Sequence, residues 1–277
     1  MTRSLKDLII NRSGAWSDFL SFREGRLKGL GTGIKQLDLL TGGFFGVAVI
    51  QGAPASCKST LALQAALNNA QNGVPTLVID RENGEGRLRT RILCQVSGLP
   101  ADEILKCDKD ELRGYVKKLQ SLPLFIETQA SLTPKDLRVY IDEMMLMTEG
   151  PVLVVLDSLQ RLPRIEPELR QNINAWLLEI DQMKLDYKGR LVIILTSEKG
   201  RPSYGQASLS GGKESGTIEY AGEIVIDMVP YEEQGVISAT VVKNRDGVCW
   251  ESVYLRKVCD GSDRRFIFEL EATEVGI

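Results

Sequence analysis

The sequence predicts an α/β protein: a mostly parallel twisted sheet flanked by helices, with an antiparallel C-terminal extension. Three observations carry this. From Phe44 to about residue 196, short β-branched runs alternate with helical stretches. The runs are apolar throughout, as strands covered on both faces must be, and do not alternate apolar with polar. After Gly216 the pattern changes to strand-like runs with no helix between them.

Residues 1–30 read as an N-terminal linker and oligomerisation segment. Leu5, Leu8, Ile9, Trp16, Phe19, Leu20 and Phe22 have loosely helical spacing, which suits a helix covering the domain core or docking on a neighbouring subunit. Residues 31–277 read as one domain. Its strands are expected at 47–51, 76–80, 124–127, 152–157 and 191–196. Helices are expected at 59–72, 84–97, 109–119 and 168–186, with another starting after Thr133. There Thr133 can cap, Pro134 suits the first position and Asp136 the third. The later runs EIVIDM, VISATVVK, CWESVYLRK and RRFIFEL supply the antiparallel part.

Composition narrows the chemistry. The 277 residues contain no histidine, which removes Ser-His-Asp triads, Cys-His nucleophiles and H-E-x-x-H metal sites. Five cysteines without a C-x-x-C pair suggest reduced cytosolic thiols and argue against a disulfide framework or zinc ribbon. No apolar run reaches the roughly 18 residues that span a bilayer, and the charged start lacks a secretory core, so a cytoplasmic, membrane-free protein is expected. A net charge of −3 gives no global attraction for nucleic acid, so polyanion binding would rest on local basic loops.

The first expected strand runs into Gly52, Ala53, Pro54, Ala55, Ser56, Cys57, Lys58, Ser59 and Thr60. This fits the Walker A phosphate loop G-x-x-x-x-G-K-[ST] except that Cys57 replaces the second glycine. The physics favours a nucleotide: backbone N–H groups curl round anionic oxygens, and the following helix points its positive end at them. Lys58 would reach the β- and γ-phosphates of ATP, and Ser59 would bind Mg²⁺. A positive φ at Cys57 would cost about 1–2 kcal/mol. Beside Lys58 at a helix N-terminus, Cys57 is also expected to be a reactive thiol shielded by bound nucleotide. Asp157 ends the apolar run VLVVLD, the Walker B form in which a carboxylate meets Mg²⁺. Glu82 follows the next strand and, with Asp80 as local competitor, is the expected water-activating carboxylate.

With these residues in view, the chain from about Gly31 resembles the ATPase domain of DnaB-like replicative helicases, within the RecA-like P-loop family that includes RadA-like and KaiC-like ATPases. TGIKQLDLLTGG is similar to the family's entry motif, LVIDRENGEGRLRTRILC to its second-strand segment, VLVVLDSLQRL to its Walker B stretch, and SGGKESGTIEYAGEIVIDM to the loop and strand that follow. The resemblance implies that Glu82 is the catalytic base and Asp157 the metal ligand. VVKNRDG is similar to the K-x-R-x-G element that supplies a finger to the adjacent subunit's ATP and, closer still, to the RadA-like K-N-R motif. This carries Lys243 and Arg245 over as catalytic groups acting in trans. The family's polar sensor after the fifth strand, usually Gln, has Thr196, Ser197 and Glu198 as candidates in TSEKGR. The N-terminal primase-contacting domain and the RadA-like zinc finger have no counterpart.

The expected protein is a Mg-ATP-dependent homo-oligomeric ATPase, a hexameric ring before a filament, coupling hydrolysis to movement on single-stranded DNA. The DNA would be held by Arg161, Arg164, Lys199, Arg201 and Lys213, with Arg170 and Tyr204 nearby. Alternatives are a RadA- or KaiC-like recombination or signalling ATPase, and a nucleotide-gated assembly protein with weak hydrolysis.

Overall fold

In a computed structural model of the chain, residues 28–128, 131–200, 216–231, 235–259 and 267–274 are described. The expected strands form one nine-stranded sheet. They are β1 (Val47–Gly52), β2 (Thr76–Asp80), β3 (Leu124–Glu127), β4 (Val152–Asp157), β5 (Leu191–Glu198), β6 (Ile224–Tyr231), β7 (Val236–Asn244), β8 (Glu251–Cys259) and β9 (Ile267–Thr273), in the order β3-β2-β4-β5-β1-β6-β7-β8-β9. Strands β1, β2, β4 and β5 are buried along almost their whole length, as their uniform apolarity requires.

Helices cover both faces. They are α1 (Lys35–Thr41), α2 (Lys58–Gln71), α3 (Glu85–Ser97), α4 (Ala101–Ile104), α5 (Lys109–Gln120), α6 (Pro134–Leu146), α7 (Leu169–Asp186) and α8 (Gly216–Ala221). Helix α2 is rich in Ala and Leu, and packs Leu61, Ala65 and Leu67 against Ile50, Val78, Val155 and Ile194. On the other face, Trp176, Ile180 and Met183 of α7 and Leu137 and Ile141 of α6 meet Val49, Val154 and Ile193. Thr133 caps α6 as its sequence suggests, accepting from the Asp136 N–H at 3.2 Å while Asp136 accepts from the Thr133 N–H at 2.9 Å. Such a box satisfies two helix-end donors at once.

The structure departs from the sequence reading in several places, beginning with two short helices that it did not expect, α1 and α4. Helix α8 lies inside the stretch expected to be free of helices, and side-chain periodicity is weak over so short a segment. Strand β6 pairs with β1 in parallel, so the antiparallel extension begins at β7. A parallel neighbour needs a crossover back to the same end of the sheet, and the chain from Lys199 through α8 supplies it. The polypeptide also joins the domain before Gly31: Leu30 and Phe44 exchange backbone hydrogen bonds of 2.8 and 2.7 Å, and both side chains are buried. The rest of the N-terminal segment, residues 1–27, lies outside the described residues. Among the described residues no helix is long and apolar enough to cross a membrane.

Lys199 is a correction. Expected on a DNA-facing loop, it is 1% exposed, and its Nζ lies 2.6 Å from Asp227 Oδ2 in the middle of β6. Its backbone N–H donates to the Gly52 carbonyl at 3.1 Å, which continues the β1–β5 ladder one step past the strand. A cation so placed cannot reach a polyanion in solvent. Breaking a buried pair on one side strands a charge, whereas replacing both partners with apolar groups is often neutral. Asp227→Leu alone is therefore expected to cost about 3–5 kcal/mol in urea unfolding, and Asp227→Leu with Lys199→Met to recover most of that.

Candidate functional site

Four strand tips define the site. Gly52, Asp80, Asp157 and Glu198 end β1, β2, β4 and β5 on the same edge of the parallel sheet, where open α/β folds bind ligands. The first position of the loop admits only glycine, because a Cβ on Gly52 would lie 2.6 Å from the Met228 carbonyl and against the Ser56 hydroxyl. Beyond it the backbone turns through left-handed conformations at Ala55 (φ 63°) and Cys57 (φ 65°). Cys57 thus adopts the costly positive φ, and Ala55 adds a second. The Ser56 hydroxyl is buried without a hydrogen-bond partner among the described residues.

Lys58, the first residue of α2, is buried, and its Nζ donates to the Ala53 carbonyl at 2.8 Å, across the concave side of the loop. Burial pushes its ammonium below the ordinary lysine range. The carboxylates of Glu82, Glu198 and Asp157, in that order, oppose the shift. These three acids come from three different elements, and the fold brings them round one cation.

Asp157 is 5% exposed, and burial pushes its carboxyl up to about 6. Hydrogen bonds from Thr196 (Oγ1 to Oδ1, 2.5 Å) and Ser59 favour the ionised form, while the nearby Asp80 carboxylate works against it. Asn83 Nδ2 bridges the two acids, at 3.1 Å from Asp80 and 3.3 Å from Asp157. Asp80 Oδ1 accepts from the backbone N–H groups of Glu82 and Asn83, both at 2.8 Å. Asp80 thus holds the turn that carries Glu82, and the Glu82 side chain stands exposed on the Lys58 side.

Of the three candidates after the fifth strand, Thr196 bonds Asp157 and Ser197 accepts from Gln160 Nε2 at 2.9 Å. Glu198 donates its N–H to Gln160 Oε1 at 3.3 Å. One residue escaped the sequence reading. Arg91 lines a small cavity with Ser59, Asp80, Asn83 and Asp157. Burial lowers its guanidinium from the usual range, and the Asp157 carboxylate is the main opposing influence. Its signal was helical phase: Arg91 lies three residues after buried Leu88 and one before buried Ile92, on the inner side of α3.

The structure separates Lys243 and Arg245 from the loop of their own chain. Asn244 is opposite Ile224, which pairs with Ala48 near the start of β1, whereas Gly52 pairs with Met228. Four residues of strand, about 13 Å, separate the two ends. Half-buried Lys243 and exposed Arg245 therefore occupy the sheet edge opposite the phosphate loop. Glu223 anchors that edge. It accepts from the Val47 N–H at 2.7 Å, pairs with Lys184 at 2.9 Å and lies 3.8 Å from the Arg245 guanidinium. Arg161 and Arg164 are exposed beyond the tip of β4, Arg164 donating to the Pro167 carbonyl at 3.4 Å. Arg201, Tyr204 and Lys213 lie outside the described residues.

Comparison with known proteins gives the family and the fold. The family model for the DnaB-like helicase C-terminal domain matches residues 29–256. The replicative DNA helicase DnaB of Treponema pallidum (strain Nichols) is 26% identical over 239 residues, covering 80% of this chain and 52% of the relative. The chain spans about half the length of the first curated relatives it matches. A solved ATPase domain superposes with a TM-score of 0.80 at 18% identity, covering 93% of this chain and 96% of the other. The solved structure of a DnaB-like replicative helicase, described with its primase interactions, gives 0.77 at 18% identity and covers 94% and 66%. At such identity these two likenesses establish the fold.

The left-handed backbone at Cys57 yields a stability prediction. Glycine removes the Cβ–carbonyl crowding of that conformation, at some entropic cost in the unfolded chain. Cys57→Gly is expected to stabilise the domain by about 1 kcal/mol in denaturant unfolding.

Proposed function

The chain belongs to the family of DnaB-like helicase C-terminal domains, and we propose that it is an oligomeric Mg-ATP-dependent ATPase that couples hydrolysis to movement on single-stranded DNA. The observation that carries this reading is the meeting of Ser59, from the start of α2, with Asp157, from the tip of β4, beside a buried lysine and a left-handed loop. The residues suit the ligand. Gly52 gives a tight cradle, and the Ser59 hydroxyl and Asp157 carboxylate are adjacent hard-oxygen donors of the kind Mg²⁺ prefers.

On this reading the amides from Ala53 to Thr60 and the Lys58 ammonium hold the phosphates, with Lys58 leaving the Ala53 carbonyl to do so. Ser59 and Asp157 would hold Mg²⁺, which would supply neutralisation of phosphate charge when bound. Glu82 takes a proton from the attacking water, on a turn fixed by Asp80. With no histidine in the chain, a carboxylate is the group left for that task. Arg245 and Lys243 act on the neighbouring subunit's nucleotide. Their position on the opposite sheet edge supports this, since a finger must approach from the γ-phosphate side. A hexameric ring closes such contacts, and the N-terminal segment ahead of Leu30 would serve as linker and oligomerisation segment to the ATPase domain. Arg161 and Arg164, with Arg201 and Lys213, would contact the DNA backbone.

Strain at Ala55 and Cys57 favours one second reading, a nucleotide-gated assembly protein with slow turnover. Steady-state assays with and without single-stranded DNA separate the two: strong stimulation is the motor's signature, and a flat response would leave the scaffold.

Two further outcomes are expected. Glu82→Gln lowers kcat by at least about 10²-fold and leaves nucleotide affinity within about twofold; unchanged turnover would remove Glu82 from its role. Lys58→Ala and Arg245→Ala proteins are each inactive alone but recover ATPase activity when co-assembled, because some sites then pair an intact loop with an intact finger. No recovery in mixed assemblies would contradict action in trans.

A further inference from the structure

Glu198, one of the three candidates after the fifth strand, puts a carboxylate at the edge of the phosphate loop. It ends β5, with its Cα opposite Gly52 at the root of the loop. Two features lock its backbone. Gln160 accepts its N–H at 3.3 Å while bonding Ser197, and the next residue, Lys199, donates to the Gly52 carbonyl and is buried against Asp227. Strand alternation then decides where the side chain goes. Val192 and Ile194 of β5 pack with α2, so Thr196 and Glu198 share that face. Thr196 demonstrates the direction, since its hydroxyl reaches Asp157. Glu198 is two residues further, at the end of α2 that presents Lys58, and only Glu82 among the surrounding carboxylates favours the Lys58 ammonium more strongly.

We propose that Glu198 discriminates between nucleotides at this site by competing with the terminal phosphate of a triphosphate for Lys58, which weakens ATP relative to ADP. The inference rests on the nucleotide reading above and adds a specificity element to it. The physical reason is charge. Loop amides at the helix N-terminus would hold a phosphate of a bound nucleotide, and a third phosphate would add charge at an edge already lined by Asp157, Glu82 and Glu198. Glu198 lies on that same face and edge. A carboxylate there repels the γ-phosphate more than the β-phosphate and shares the one cation that serves both. ADP leaves the Glu198–Lys58 attraction largely in place, whereas ATP must disrupt it. Because the side chain is partly exposed, solvent screening limits the effect to about a factor of ten.

Calorimetric titration with ADP and with a non-hydrolysable ATP analogue, both in magnesium buffer, tests this on the full chain. Glu198→Gln keeps shape and removes charge. It should tighten the triphosphate analogue about tenfold and ADP by less than about twofold. Glu198→Asp, which keeps the charge, should leave the ratio of the two affinities near that of the native protein, and Glu198→Ala should follow Gln if the Gln variant fails to fold. An unchanged or reduced preference for the triphosphate in the neutral variants, with both nucleotides still binding, overturns the role of Glu198 alone. Native protein that binds neither nucleotide overturns the nucleotide reading, and this inference with it.

Discussion

The site depends on withdrawing a lysine and an aspartate from water at the same sheet edge. Lys58 and Asp157 are both buried, and burial weakens the charge of each: the ammonium shifts down and the carboxyl up to about 6. Neither can be held there without partners, because a dehydrated charge must be matched or lost. The surrounding architecture supplies them. Thr196 and Ser59 donate to Asp157, the Ala53 carbonyl accepts from Lys58, and Arg91 faces the two aspartates from α3. Removing the edge registry of β1, β4 and β5 would scatter these groups, so the parallel ladder is a condition of the chemistry as well as of the core.

The same edge carries four carboxylates, those of Asp80, Glu82, Asp157 and Glu198, against the cations Lys58 and Arg91. That surplus of negative charge is compatible with the proposed divalent cation. The acids divide by hydrogen bonding. Asp80 spends one oxygen on the Glu82 and Asn83 amides and accepts from the Asn83 side chain with the other, so it shapes a turn. Glu82 is left standing toward the lysine. Two acids two residues apart thus acquire different roles from backbone geometry alone.

Polarity of the sheet has a second consequence. Strands β1 and β6 run parallel and β7 returns, which places Lys243 and Arg245 at the end remote from the loop. Glu223 holds that end together through Val47, Lys184 and Arg245. A chain built this way presents a phosphate loop on one edge and a basic pair on the other. That layout is compatible with the proposed head-to-tail assembly.

Much of this was legible in the chain itself. Unbroken apolar runs identified the buried parallel strands, T-P-K-D gave the start of α6, and G-A-P-A-S-C-K-S-T stated both the loop and its anomalous sulfur. These signals are local, because strand burial, capping and left-handed turns depend on residues a few positions apart. Lys199 shows the limit. In sequence it is one more cation in a Gly- and Ser-rich stretch, and only the pairing of β5 with β1 and of β1 with β6 puts Asp227 beside it in the core. Arg91 and the parallel sense of β6 were hidden for the same reason: each is decided by which distant segment lies alongside. The sequence by itself determined the strands, the longer helices and the Walker A-like form of residues 52–60. Tertiary structure decided which charges share a dielectric, since charge–charge energies follow distance through space and not along the chain.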